Sequence, residues 1–228
     1  MPTIPRMGGP LLIAFDVNET LLDLDPIRAN FERLFGADPP IGEWFARLLH
    51  GSLIANTLDE FRPFGDIGAE SLINLAARRG LLLRAEDAVE ALAPMGELPA
   101  HPDVLEGVGR LTDAGFEMIA LTNGSTEVAN SQIENAGLGG ALSRVISVDE
   151  VRRFKPDAAP YRHAARVMGV DIGEMMLVAA HDWDCAGAMS AGGQAVFVKR
   201  PGAIWGLPTP PPDKQVPDLI HLAEALGA

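Results

Sequence analysis

Three short apolar runs, Leu11–Phe15, Met118–Leu121 and Met175–Ala180, each end abruptly in a polar residue: Asp16, Thr122 and His181. None of the runs alternates with polar residues, so each reads as a strand buried on both faces, the signature of a parallel sheet sandwiched by helices. Segments of helical period lie between them, at Pro102–Ala114, Ser125–Ala136 and Ala158–Met168, with Gly137 and Gly169 placed to end two of these helices. Alternating strand and helix implies an α/β chain with a parallel sheet. Further strands are expected at Arg144–Val148 and Gln194–Val198, and a last helix at Pro217–Leu226 after the proline-rich surface connection Pro208–Pro212.

The stretch from Leu24 to Leu98 breaks this alternation. It is rich in Leu, Ala, Arg and Glu, and its periodicity predicts helices over Pro26–Phe35, Ile41–Glu60, Ala69–Arg79 and Ala85–Ala93. Breaks fall at Pro39–Pro40, Arg62–Gly65 and Pro94–Pro102. The expected organisation is a Rossmann-like parallel-sheet core formed by residues 1–23 and 99–228, with a helical cap domain, residues 24–98, inserted after the first strand.

Composition narrows the function. A hydrophobic content of 47% is ample for a packed core in 228 residues. A net charge of −13 argues against nucleic-acid or anionic-membrane partners, because both require basic patches. A small anionic substrate would also be repelled, so backbone N–H groups and a few local cations must draw it in. Cys185, the sole cysteine, excludes an intramolecular disulfide, suits a reducing cytoplasm, and is expected to be a buried packing residue. The N-terminal MPTIPRMGGP carries no apolar signal core, and Leu11–Phe15 is too short to span a bilayer.

In an open parallel sheet, ligands bind beyond the carboxyl ends of the strands. The polar residues expected there are Asp16, Thr122-Asn123-Gly124-Ser125, Lys155 and His181-Asp182-Trp183-Asp184. Singly each has an ordinary explanation: helix cap, solvated lysine, Asn-Gly turn. Their convergence on one sheet edge points to a reaction centre. Ser125 is the exception, placed as the N-cap of the following helix.

The runs Phe15–Asp23, Leu121–Ser125, Arg153–Asp157 and Val178–Asp184 resemble, in order and spacing, the four motifs of the haloacid dehalogenase superfamily. Within it, Trp183-Asp184 and Tyr161, six residues after Lys155, are most similar to the (S)-2-haloacid dehalogenases. The resemblance implies that Asp16 attacks the halogen-bearing carbon of a small 2-halocarboxylate to form an aspartyl ester, which water then hydrolyses. Lys155 would keep Asp16 ionised, with Asp184 orienting Lys155, while Thr122 and Asn123 hold the substrate carboxylate. Thr20, Tyr161 and Trp183 are further substrate-binding candidates. His181 stands at the family's water-positioning asparagine, where it either acts as a base in ester hydrolysis or fills the site. For the cap arginine that receives the halide, one alignment gives Phe45 and the other Arg47; Arg47 is the candidate.

Phosphatases of the superfamily carry an acid two positions after the nucleophile and another four residues before the last aspartate. Here these positions are Asn18 and Ala180. A dehalogenase without metal or other cofactor is therefore expected, with a Mg²⁺-dependent phosphatase as the rival reading, Asp182 supplying a displaced ligand. A non-catalytic binding protein of the same fold is the other rival. The resemblance also admits a homodimer through the cap.

Overall fold

The computed structural model describes residues 10–228. The strands are β1 (Leu12–Phe15), β2 (Glu117–Thr122), β3 (Arg144–Ser147), β4 (Met175–Ala179), β5 (Gln194–Val198) and β6 (Lys214–Val216). They form one parallel sheet in the order β3-β2-β1-β4-β5-β6. Successive strand residues serve opposite faces, as a period of two demands: Ile13 and Phe15 pack on one side, Leu12 and Ala14 on the other. β6 is the strand that periodicity does not reveal, being three residues long, with Lys214 and Gln215 exposed at the sheet edge.

Helices of the insert are α1 (Arg28–Phe35), α2 (Ile41–Leu58), α3 (Phe64–Arg78) and α4 (Ala85–Leu92). The core contributes α5 (Val104–Asp113), α6 (Thr126–Asn135), α7 (Ala158–Met168), α8 (Asp182–Ala191) and α9 (Leu219–Ala225). Apolar faces of α5, α6 and α9 cover one side of the sheet; α7 and α8 cover the other. The insert has its own apolar cluster around Phe31, Trp44, Leu48 and Leu75, joined to the core by Val148 and Phe154. Phe154 stacks on Phe61, with ring centroids 4.9 Å apart, and Asn56 accepts from Phe154 N–H while donating to its carbonyl. These contacts hold the insert over the carboxyl ends of the strands.

Local signals explain where the helices begin and end. Ser125 caps α6 by accepting from Val128 N–H, and Gly169 ends α7 in the left-handed conformation at φ 71°. α3 starts at Phe64, five residues before the sequence suggests. Pro63 there is the residue before a helix, not part of a gap, and the first turn is worth forming because Phe64 and Ile67 bury themselves in the insert cluster. A short 3-10 turn, Ala93–Glu97, runs into the predicted break over Pro94–Pro102. Among the described residues no helix is long and apolar enough to cross a membrane.

Candidate active site

The strand order reverses about β1, which pairs with β2 on one side and β4 on the other. A parallel sheet opens a crevice at such a point. Asp16 lies one residue past β1, its N–H donating to Val178 O at 3.0 Å, and is 5% exposed. Lys155 enters from the loop between β3 and α7, pinned by its own N–H donating to Asn123 Oδ1 at 2.9 Å. Its ammonium has three N–H bonds and three acceptors: Asp16 Oδ1 at 2.8 Å, Asp184 Oδ2 at 2.6 Å and Leu121 O at 2.9 Å. The Lys155 side chain is entirely buried, so the two carboxylates compensate its charge directly.

The two carboxylates differ. Burial alone would raise the pKa of Asp16, but Lys155 and a hydrogen bond from His181 outweigh it and hold Asp16 well below the usual carboxylate range. Thr20 Oγ1 also donates to Asp16 Oδ2 at 2.8 Å and accepts from Ala180 N–H at 2.9 Å. Asp184 has no exposed surface, and burial pushes its pKa up in spite of Lys155. Burial also disfavours the Lys155 ammonium, yet Asp16 and Asp184 carry its pKa above the ordinary value. The result is an ionised carboxylate fixed beside a permanent cation.

His181 precedes α8. Its Nδ1 lies 3.0 Å from Asp16 Oδ2 and its Nε2 2.9 Å from Glu19 Oε2. Desolvation works against the charged ring, but its hydrogen bonds to Asp16 and Glu19 raise its pKa to about 10. In the resting protein His181 is therefore an imidazolium, not a base. Its ring is stacked between Trp183 and Phe45, with centroids at 5.1 and 5.6 Å.

Not every sequence candidate reaches this centre as expected. Tyr161 is wholly buried, its hydroxyl donating to Asp184 Oδ1 at 2.6 Å. It holds Asp184 from the buried side and has no surface of its own in the crevice. Arg47 does not come to the site. It pairs with Glu43 at 2.7 Å on the surface of α2 and lines a separate cleft with His50 and Arg62. Phe45, two residues earlier and therefore on a different helix face, meets His181 instead. Thr122 Oγ1 accepts from Gly124 N–H at 3.0 Å, turning the chain into α6, and Asn123 Nδ2 is buried without a hydrogen-bond partner. Cys185 packs under the sheet, and burial pushes its thiol pKa up, away from catalytic use.

The donor set does not fit Mg²⁺, a hard ion that takes several oxygen ligands in octahedral geometry. Lys155 already lies between Asp16 and Asp184. Asn18 Oδ1 accepts from Gln132 Nε2 at 3.1 Å, and Ala180 has no side-chain donor. Asp182, the conceivable substitute, accepts from Trp183 N–H at 2.7 Å and Gly206 N–H at 2.9 Å. Among the described residues no group of three or more His, Cys, Asp or Glu is arranged to hold a metal.

Two supporting residues carry no sequence signal for this role. Glu19 is one, its Oε2 2.9 Å from His181 Nε2. Gly187 on α8 is the other: a Cβ there would lie 2.5 Å from Pro156 Cβ and 2.6 Å from the Tyr161 hydroxyl. Gly187→Ala should thus displace the groups that set Lys155 and Asp184, costing about 1–3 kcal/mol of stability by overpacking. Chemical denaturation and turnover of the variant check this; unchanged values for both refute it.

The crevice at the strand reversal, the nucleophile-lysine-aspartate chain and the helical insert above them define a hydrolase that works through an aspartate. Residues 11–192 match the haloacid dehalogenase-like hydrolase family, and the chain belongs to it. Among curated relatives, (S)-2-haloacid dehalogenase 1 of Pseudomonas sp. (strain CBS-3) is 30% identical over 188 residues, covering 82% of this chain and 83% of the relative. (S)-2-haloacid dehalogenase H-109 of Pseudomonas putida is 27% identical over 225 residues, covering 94% and 96%. The crystal structure of an L-2-haloacid dehalogenase superposes with a TM-score of 0.90 at 25% identity, over 96% of this chain and 100% of that one.

Proposed function

We propose that the protein hydrolyses the carbon–halogen bond of small 2-halocarboxylates through an ester on Asp16. One observation carries this reading: Asp16 is an ionised nucleophile compensated by Lys155, while the position that would supply a leaving-group acid holds Asn18, tied to Gln132. Such a site suits a leaving group that departs as a stable anion and needs no proton. The similarity to (S)-2-haloacid dehalogenases supports the same substrate class.

Asp16 supplies the attacking oxygen, and Lys155, oriented by Asp184 and Tyr161, keeps it ionised. The substrate carboxylate sits at the N-terminus of α6, where Asn123 Nδ2 has a hydrogen bond to give and the helix dipole favours an anion. Trp183 and Phe45 form the apolar wall. The homodimer that the family resemblance admits belongs to the same proposal, as does a cytoplasmic location, which the single buried thiol suits.

The test is a halide-release screen of 2-chloro- and 2-bromocarboxylates and fluoroacetate beside a panel of phosphate esters, each with EDTA and with added Mg²⁺. Halide release undiminished by EDTA is the expected result. Phosphate-ester hydrolysis switched on by Mg²⁺ would replace this reading with the phosphatase one.

A further inference from the structure

Arg200 lies just past β5 and outside the four family motifs, yet its side chain is only 8% exposed. A guanidinium that far from water must give its N–H groups to protein acceptors. Its Nη1 donates to Asp103 Oδ1, and its Nε and Nη2 both donate to the Thr20 carbonyl, at 3.1 and 2.8 Å. The anchors of this arrangement are themselves fixed. Asp103 Oδ2 accepts from Leu219 N–H at 2.8 Å at the start of α9, and the Arg200 backbone is tied down by its N–H donating to Val198 O at 2.9 Å.

Asp103 answers the charge, but it does not explain why two donors converge on one neutral carbonyl. A carboxylate readily accepts two parallel N–H groups from one guanidinium. Here the rigid fork is divided between the carboxylate and a backbone oxygen instead. That oxygen belongs to the turn that follows Asp16, whose neighbouring carbonyls are also held from the core. His101 Nε2 lies 3.3 Å from Glu19 O, and His101 N–H donates to Leu21 O at 2.9 Å. The middle carbonyl is that of the residue whose hydroxyl serves the nucleophile. Thr20 is fully buried, with Oγ1 donating to Asp16 Oδ2 at 2.8 Å and accepting from Ala180 N–H at 2.9 Å. Ala180 N–H can only donate, so the hydroxyl proton is left to Asp16. Threonine is stiff at χ1, and the orientation of its peptide therefore fixes the place of its hydroxyl.

We propose that Arg200, held by Asp103, is a positioning residue for Thr20 and through it sets the Asp16 carboxylate for attack. This rests on the ester chemistry proposed above. Arg200 fixes the Thr20 carbonyl, the carbonyl fixes the peptide plane, and the stiff side chain then places Oγ1 on Asp16 Oδ2. With Lys155 on Oδ1, the nucleophile is gripped at both oxygens before a substrate arrives. A misplacement of about 1 Å at a reacting group costs on the order of 10²-fold in rate, so a residue that touches no reacting atom still governs turnover.

Without substrate, the arrangement is read from amide hydrogen exchange followed by NMR. Ala180 N–H donates to the hydroxyl in question. In Arg200→Met its exchange should quicken at least about tenfold more than that of the Leu177 and Val178 amides within β4. A substitution that merely weakens the fold speeds all of these amides alike, and that result overturns the proposal.

Single-turnover halide release from 2-bromopropionate gives the second test. Arg200→Met should slow it about 10- to 100-fold with the half-saturating substrate concentration little changed, since the substrate carboxylate is held at α6. In a Thr20→Val background the same substitution should cost less than about threefold, because the hydroxyl through which Arg200 acts is already gone. Equal losses in the two backgrounds, or no loss in either, overturn the assignment of Arg200. Should Arg200→Met fail to fold, Arg200→Lys carries both measurements, with smaller effects in the same direction: it keeps a charge opposite Asp103 without the fork that grips the Thr20 carbonyl. A wild-type protein that releases no halide sinks the proposed substrate class instead, and the exchange result then decides alone for Arg200.

Discussion

Asp16→Asn is expected to yield a folded protein whose halide release falls on the order of 10⁴-fold or more, since losses of this size follow removal of a nucleophile. The exchange is close to isosteric: an asparagine oxygen still accepts from Lys155, which reaches Asp16 Oδ1 at 2.8 Å, and the amide nitrogen can donate to Thr20 Oγ1, which in wild type donates to Oδ2 at 2.8 Å. What disappears is the negative charge that attacks carbon. Circular dichroism should match wild type, and mass spectrometry must exclude deamidation back to aspartate. Retention of more than a trace of turnover would show that another residue carries the ester.

Lys155→Met should damage both fold and chemistry. The ammonium is buried between two carboxylates, and removing it leaves the wholly buried Asp184 uncompensated and Asp16 held by His181 alone. Breaking such a pair costs about 3–5 kcal/mol, and the site relieves part of this by taking up a proton. Asp184, whose pKa burial already raises, takes that proton, and Asp16 loses the cation that holds it ionised and in place, so turnover should fall at least about 10³-fold. The sign of the pH dependence follows from the direction of each shift. In wild type the depressed Asp16 pKa gives stability that is present above the unfolded-state value and lost only as pH falls through the folded one. In the variant the folded carboxylates have raised pKa values, so stability grows as pH falls through them. Guanidinium denaturation at pH 8 and pH 6 should show the variant gaining on acidification while wild type does not; parallel behaviour of the two would refute a buried, charge-compensating Lys155.

The strands and core helices were legible because their signal is local. β5 and α7 have the bounds that periodicity suggests, β1, β3 and β4 differ by a residue at one end, and β2 is longer by a residue at each end. A run of residues apolar on both faces can be satisfied only inside a helix-covered sheet, and glycine beyond a helical segment stops it. β6 was illegible because its pairing, Lys214 opposite Val196, comes from the neighbouring strand and not from its own polar residues. The start of α3 was misplaced because Pro63 was read as a break, when burial of Phe64 extends the helix to it.

What the sequence by itself determined is the set of polar residues delivered to one sheet edge: Asp16, Thr122, Asn123, Lys155, His181 and Asp184. Parallel strands end at a common edge, so a polar residue directly after an apolar run is placed there by topology alone. Tertiary structure decided what those residues touch. Lys155 is 139 positions from Asp16, and His181 is 165. Whether such side chains meet depends on helix rotation, rotamers and burial across segments, none of which leaves a periodic trace. The same rotation of α2 brought Phe45, and not Arg47, to His181, and packing of α7 on α8 turned Tyr161 from the crevice toward Asp184. Glu19 needed a left-handed turn to reach the imidazole, a backbone state that a glutamate in the sequence does not announce.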